Sequence, residues 1–396
     1  MELNLENKIK HSLDKLEAFL DTTDLKGYDP YDALNSKILS ILSFRNKWLR
    51  IAFTQGMKRL PVNLRPILLI EKGYNPKGLG LLLTGYLKLY SLYRTEEYLQ
   101  KINYIISLLE EFKCNGYSGH CWGYNFDWQS QITLTPKGTP TIVNTAFIAH
   151  AFLDAYKLFG KEHFLTIARS ACDFILNDLH ILRSGDSLCF SYSPIDKSRI
   201  HNANILGAGL LARVYSITKE DELLEYAKKA VRYLIDKQRE DGSWYYGEQS
   251  HDNGFFQYID SYHTGFVLES LLNYIVYAGN KTQFESIKKG LEFFENNFFL
   301  EDGTPKYFHD RLYPIDIHSS AQAIVTLVRL KDVKYNSQLL ERVACWMVDH
   351  MQDESGYFYY RKGRFFYNKI PYIRWCQAWA FHALTSYYHY LQNTTT

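Results

Sequence analysis

The sequence predicts an all-α fold, an (α/α) toroid of about six helical hairpins whose inner helices line a central cavity. Three observations predict it: a long internal repeat, two alternating kinds of helix, and a Gly-aromatic punctuation between repeats. Five stretches set the period, beginning at Thr139, Arg199, Tyr258, Pro314 and Pro371. Each opens with polar, cap-forming residues and runs into a helix that is apolar almost all round. With Asn144, Asn202, Tyr262, Ser319 and Cys376 as equivalent positions, the steps are 58, 60, 57 and 57 residues. A fixed period of this size marks stacked supersecondary units.

The elements follow in order. The opening stretch, MELNLENKIKHSLDKLEAFL, is a charged amphipathic helix without the apolar centre of a signal peptide. Leu3–Asp21 and Pro30–Ser43 read as an opening hairpin, and Arg45–Lys72 as an irregular segment that leaves six or seven hairpins open. Residues 1–72 are thus irregular opening hairpins, and 73–396 regular repeats, of one toroid domain spanning 1–396. NPKGLGLLLTGYLKLYSLY reads as the first regular inner helix and EEYLQKINYIISLLEEF as its outer partner. Later outer helices carry one apolar stripe. In KEDELLEYAKKAVRYLIDKQ it comprises Leu223, Leu224, Ala227, Ala230, Val231, Leu234 and Ile235, a 3.6-residue period with a wet opposite face. After each outer helix comes a segment such as EDGSWYYGE or ESGYFYY, where glycine suits a left-handed helix stop. Gln238–Trp244 fits the Q-x3-G-x-W repeat of terpene cyclases and prenyltransferases, and Gln352–Phe358 is a degenerate copy. Their expected role is structural, tying one helix end to the next repeat.

Composition narrows the function. Thirty-two Tyr, 24 Phe and 7 Trp make 16% of the chain aromatic, which suits both helix packing and cavity walls for amphipathic ligands. The net charge of +2, with no basic stripe, gives nothing to attract nucleic acid. No apolar run reaches the length of a membrane span, so no membrane insertion is expected. Six scattered cysteines without a CxxC are expected as free thiols. The chain reads as soluble and cytoplasmic.

Residues 116–150, GYSGHCWGYNFDWQSQITLTPKGTPTIVNTAFIAH, resemble a toroid family of surface-polysaccharide biosynthesis proteins. The likeness continues through HNANILGAGLLARVY, DGSWYYGE and IDSYHTGFVLESL, and covers most of the chain from about Leu60 onward. The wider superfamily resembles six-hairpin glycosidases, N-acylglucosamine 2-epimerases and the helical domain of glucuronyl C5-epimerases. The resemblance implies a sugar or oligosaccharide in the cavity and partners in a polysaccharide pathway. It transfers no catalytic motif residue by residue.

In such a ring the inner-helix N-termini and the loops before them face one mouth. The expected catalytic residues there are Asp260, His263, Asp127, His318 and Asp316. Trp128, Trp122, Arg199, His201, Tyr258, Trp244 and Arg374 are the expected substrate-binding residues. Asp260 and Asp316 also suit helix N-caps. Histidines recurring near one register, at His201, His263 and His318, exceed what capping requires. Asp260 and His263 lie one helical turn apart, as an acid/base pair requires. These features suit an epimerase, lyase or hydrolase; the alternative is a non-catalytic glycan-binding or scaffold protein. A terpene-cyclase-like enzyme lacks its DxDD or DDxxD motif here. A zinc toroid has only the GHC of Gly119–Cys121, without partners at ligand spacing. No metal and no cofactor are expected.

Overall fold

The computed structural model describes residues 4–130, 133–248 and 256–394. Helix α1 (Leu5–Thr23) is followed by a 3-10 turn at Asp32–Asn35 and two short helices, α2 (Lys37–Leu42) and α3 (Lys47–Arg59). Five hairpins come next: α4 (Pro76–Tyr93) with α5 (Glu96–Glu111), α6 (Ile142–Phe159) with α7 (Glu162–Asn177), α8 (His201–Thr218) with α9 (Asp221–Ile235), α10 (Ser261–Ala278) with α11 (Phe284–Asn297), and α12 (Ile317–Arg329) with α13 (Ser337–Met351). A π-helical turn, Ile373–Ala378, leads into α14 (Trp379–Thr394).

The inner helices α4, α6, α8, α10, α12 and α14 each pack on the next, and α14 packs back on α4. The ring is therefore closed. Each outer helix, α5, α7, α9, α11 and α13, packs on the inner helix before it, and α1 packs on α14 and α13. Among the described residues the ring thus has six hairpins, the sixth made of α14 and α1. This corrects the expected pairing of Leu3–Asp21 with Pro30–Ser43. The stripe of Ile9, Leu13, Leu16 and Leu20 on α1 is fully buried, whereas α2 is only six residues long and leaves Ile38, Ile41 and Leu42 exposed. A helix of five turns buries its stripe better against a partner of its own length.

The caps explain where the helices start. Asn75 accepts from the amide of Gly78, with Pro76 opening α4; Thr141 accepts from Asn144, Asp260 from His263, and Asp316 from His318. α6 and α10 stop at Gly160 and Gly279, both left-handed.

The Gly-aromatic punctuation is a latch between neighbouring outer helices. Gln238 donates to the carbonyls of Gly242 and of Ser286 on α11, at 2.9 Å each. Gln352 repeats this with Gly356 and with Ser12 on α1, again at 2.9 Å each. The same contact thus joins α13 to α1 and fastens the ring where it closes. Gly242, Gly303 and Gly356, at φ 89°, 87° and 99°, abut the backbone of Lys289, Arg342 and Lys15 on the following outer helix.

Short strands brace one end of the ring. β1 (Trp128–Gln129) pairs with β2 (Leu134–Thr135), and β3 (Ile181–Ser184) with β4 (Ser187–Phe190), both antiparallel. β5 (Ile315–Asp316), β6 (Arg361–Lys362) and β7 (Tyr367–Asn368) form an antiparallel three-stranded patch with Asp316 opposite Arg361. Residues 28–70 build a small core of their own from Ala33, Leu39, Met57 and Ile70. Among the described residues no helix is long and apolar enough to cross a membrane.

Candidate active site

A cavity opens at the N-terminal ends of the inner helices. Each inner helix brings a residue to it: Lys77 from α4, Val143 from α6, Asn202 from α8, His263 from α10, His318 from α12, and Trp375 from the turn before α14. Aromatic rings from the loops complete the wall. Tyr246 and Tyr258 stack at 4.9 Å, and Tyr124 and Phe126 at 5.1 Å, presenting flat faces of the kind that sugars pack on.

Asp260 performs two tasks. Its Oδ1 caps α10 by accepting from the His263 amide at 2.9 Å, and its Oδ2 holds His263 Nδ1 at 2.7 Å. The carboxylate is fully buried and the imidazole is 17% exposed, toward the cavity. With Nδ1–H donating to Asp260, the neutral ring presents an unprotonated Nε2. Tyr262 and Tyr246 flank the ring at 4.1 and 4.6 Å.

His318 also lines the cavity. It lies between Tyr262 and Trp379, each 4.4 Å away, and neither ring nitrogen has a hydrogen-bond partner among the described residues. Burial, then the nearby Lys77, holds this imidazole well below the usual histidine range, so it is neutral.

Lys77 brings a buried amine to the cavity floor. Its Nζ sits over Phe147, Phe266 and Trp379 at 4.4, 5.0 and 5.4 Å. These rings lie 5.2 to 5.5 Å from one another and plug the ring beneath the cavity. Burial, reinforced by Arg374, pushes the amine well below the usual lysine range. The guanidinium of the wall, Arg374, is paired through two hydrogen bonds with Asp29, at 2.6 and 2.8 Å. Tyr31 enters from residues 28–70, its hydroxyl accepting from Lys58 Nζ at 2.5 Å. Among the described residues, no carboxylate lines the cavity.

The remaining sequence candidates lie elsewhere. Asp316 is fully buried behind the wall, where it caps α12 and accepts from Trp375 Nε1 at 2.8 Å and Arg361 Nε at 2.6 Å. Its Oδ1 is shared between the helix cap and Trp375, its Oδ2 is held by Arg361, and it is not part of the cavity lining. Asp127 accepts from the Lys137 amide at 2.7 Å, while its neighbours Phe126 and Trp128 form cavity wall. His201 Nδ1 donates to the Tyr245 carbonyl at 2.7 Å, and burial lowers the imidazole to about 4. Arg199 reaches Glu248 at 3.4 Å. Trp122 and Trp244 are buried, donating to the carbonyls of Leu109 and Leu234. Trp244 borders a small side cavity that Asp260 and His263 also line. His120 of the GHC stretch shares a hydrogen bond with Ser170, and the six thiols are free.

The sequence reading did not pick out Lys77, Tyr31, Lys58 or Tyr246. Lys77 had a signal: it occupies the second position of α4, as His318 does of α12.

The sequence matches no protein-family model and none of the curated proteins. Solved structures do resemble the fold. Cellobiose 2-epimerase from Bacillus thermoamylovorans is 12% identical, with a TM-score of 0.64 over 80% of this chain and 87% of the other. A GH76 α-mannanase from Bacteroides thetaiotaomicron is 13% identical, with a TM-score of 0.64 over 81% and 87%. An unsaturated glucuronyl hydrolase specific for heparin is 12% identical, with a TM-score of 0.65 over 99% and 98%. At these identities the likeness is one of fold: the chain is built as an (α/α) toroid of the six-hairpin kind.

Proposed function

We propose that the chain is a sugar-active enzyme that moves a proton on an acidic sugar, as an epimerase or lyase does. The observation that carries this is the Asp260–His263 pair, a buried carboxylate orienting an imidazole that lines an aromatic cavity and whose other nitrogen has no hydrogen-bond partner among the described residues. In this reading His263 Nε2 takes the proton from the ring carbon beside an anionic substituent. The Lys77 ammonium faces the charge that develops, a role that gains strength in a water-poor cavity. An incoming carboxylate supplies the counter-charge that returns the proton to the buried amine. Return of a proton to the other face of the carbon gives an epimer; loss of a neighbouring substituent gives an unsaturated sugar.

Fold kinship with an epimerase, a mannanase and a glucuronyl hydrolase supports a sugar substrate without choosing the reaction. The lining favours proton transfer over hydrolysis. Glycoside hydrolysis places two carboxylates across the scissile bond, and no described carboxylate lines this cavity. The setting in surface-polysaccharide synthesis is proposed on sequence resemblance alone.

The test is incubation with uronates and neutral sugars in deuterated water, read by NMR. The expected result is deuterium at a ring carbon of a uronate, or an unsaturated product, falling at least about hundredfold in His263→Gln. Lys77→Met is expected to lower turnover of the uronate. Binding without chemical change by any sugar would make the cavity a glycan-holding site and end the catalytic reading.

A further inference from the structure

Residues 36–70 differ in kind from the rest of the surface. In a chain of net charge +2, this stretch holds seven basic residues, Lys37, Arg45, Lys47, Arg50, Lys58, Arg59 and Arg65, and no acidic one. Lys58 and Arg65 turn inward, to Tyr31 and Asp32; Arg45 and Arg59 are exposed. Twelve of the twenty exposed large apolar side chains among the described residues lie in residues 38–69 and at the tip of the β6–β7 hairpin. The most prominent are Phe365, Phe44 and Ile67, at 85%, 77% and 74% exposure, and Trp48 is 64% exposed.

The two regions meet at one contact. Asn368 of β7 donates to the Leu60 carbonyl just past α3 at 2.8 Å, and Arg364 stands 5.4 Å from the Phe365 ring. Phe44 and Arg45 sit on consecutive left-handed backbone at φ 48° and 57°, and Leu69 at φ 54°. Non-glycine residues adopt that conformation at a cost, and the fold accepts it here to hold apolar tips outward.

We infer that this face docks the protein on an anionic membrane surface, its aromatic and aliphatic tips seated among the headgroups and its basic side chains paired with lipid phosphates. The charge selects this occupant. A second copy meeting the face across a two-fold axis would bring like charges together. The tips also protrude separately from two short helices, a loop and a hairpin, rather than framing a groove for a partner's helix. A bilayer accepts such tips at its interface while anionic headgroups hold the cations. Lys58 and Tyr31 connect this segment to the cavity wall, so the cavity opens on the docked end of the ring.

The experiment is co-sedimentation of the full chain with vesicles of phosphatidylglycerol and phosphatidylcholine, or of phosphatidylcholine alone, at low and high salt. Binding is expected on the anionic vesicles, weakening as salt screens it. Arg45→Gln, Arg59→Gln and Arg364→Gln together are expected to lower the partition coefficient by about two orders of magnitude. Phe44→Ser, Trp48→Ser and Phe365→Ser together are expected to lower it while melting temperature and circular dichroism stay unchanged, since none of the three is buried. Equal or absent binding to both vesicle types overturns the inference. So does a dimer, seen by sedimentation equilibrium, that the serine variant dissociates in a chain that ignores vesicles.

Discussion

Asp260 shows how one carboxylate serves architecture and chemistry through different oxygens. Oδ1 satisfies a free amide of α10, and Oδ2 fixes the tautomer of His263. The oxygens can therefore be separated by substitution. In Asp260→Asn the side-chain oxygen still caps the helix, where Asn is about as good as Asp. The new amide donates to Nδ1, which drives the ring proton to Nε2 and removes the free base. The expected outcome is a melting temperature within a few degrees of the parent and turnover lower by at least about hundredfold. A variant with parental turnover would show that the pair is architecture only. His263→Gln is expected to lose turnover in the same way and keep the fold, because the parent ring is partly open to the cavity rather than locked in the core. Activity and melting temperature measured on both variants distinguish these outcomes.

At the scale of the element, the latch between outer helices makes a sharper claim about glycine than turn geometry alone. Gly356 and Gly185 both have positive φ, at 99° and 56°, so alanine is strained at either. They differ in what a β-carbon would meet. At Gly185 nothing lies within 4 Å, whereas at Gly356 the β-carbon would collide with the Lys15 carbonyl on α1. Gly185→Ala is expected to cost about 1 kcal/mol, the conformational penalty. Gly356→Ala is expected to cost more than about 2 kcal/mol, because two outer helices must part where the ring closes. Denaturant unfolding of both variants checks the ranking; equal costs would mean that the latch adds nothing to ring closure. α13 ends at Met351 with Gln352 extended, so Gly356 turns the loop beyond the helix and is not the left-handed helix stop expected from the sequence. Nor did the sequence show that the partner is Ser12 and Lys15, which lie some 340 residues away in sequence and meet the latch only once the ring is closed.

For the whole molecule, the same division governs what could be read in advance. The alternation of inner and outer helices was legible because burial all round or on one stripe is written along each helix. Asp260 and His263 were legible because they lie within one turn. Lys77, Tyr31 and the Asp29–Arg374 pair were not, because long-range closure gives them their surroundings. Closure also creates a second polar region in the lumen, below the plug of Phe147, Phe266 and Trp379. There Glu269 of α10 accepts from Gln322 Nε2 and, at 2.7 Å, from Thr326 Oγ1, both bonds falling on Oε1. Burial raises this carboxyl from 4.5 to about 7, against the smaller opposing effects of Thr326, Arg329 and Lys88. The folded state therefore holds a proton that the unfolded chain has released between those two values. Stability from this group is complete below pH 4.5 and is lost as pH rises through about 7. Glu269→Gln removes the ionisation yet keeps an oxygen for both donors, its amide standing where the carboxyl O–H would be. The variant is expected to match the parent near pH 4.5 and to exceed it by about 1–3 kcal/mol at pH 8, where the parent holds a buried charge. Melting curves of the two proteins across this range decide it. Parallel pH profiles would mean that Lys88 and Arg329 already neutralise the carboxylate; a gap that widens with pH would show the lumen below the plug to be too dry to keep Glu269 charged without cost.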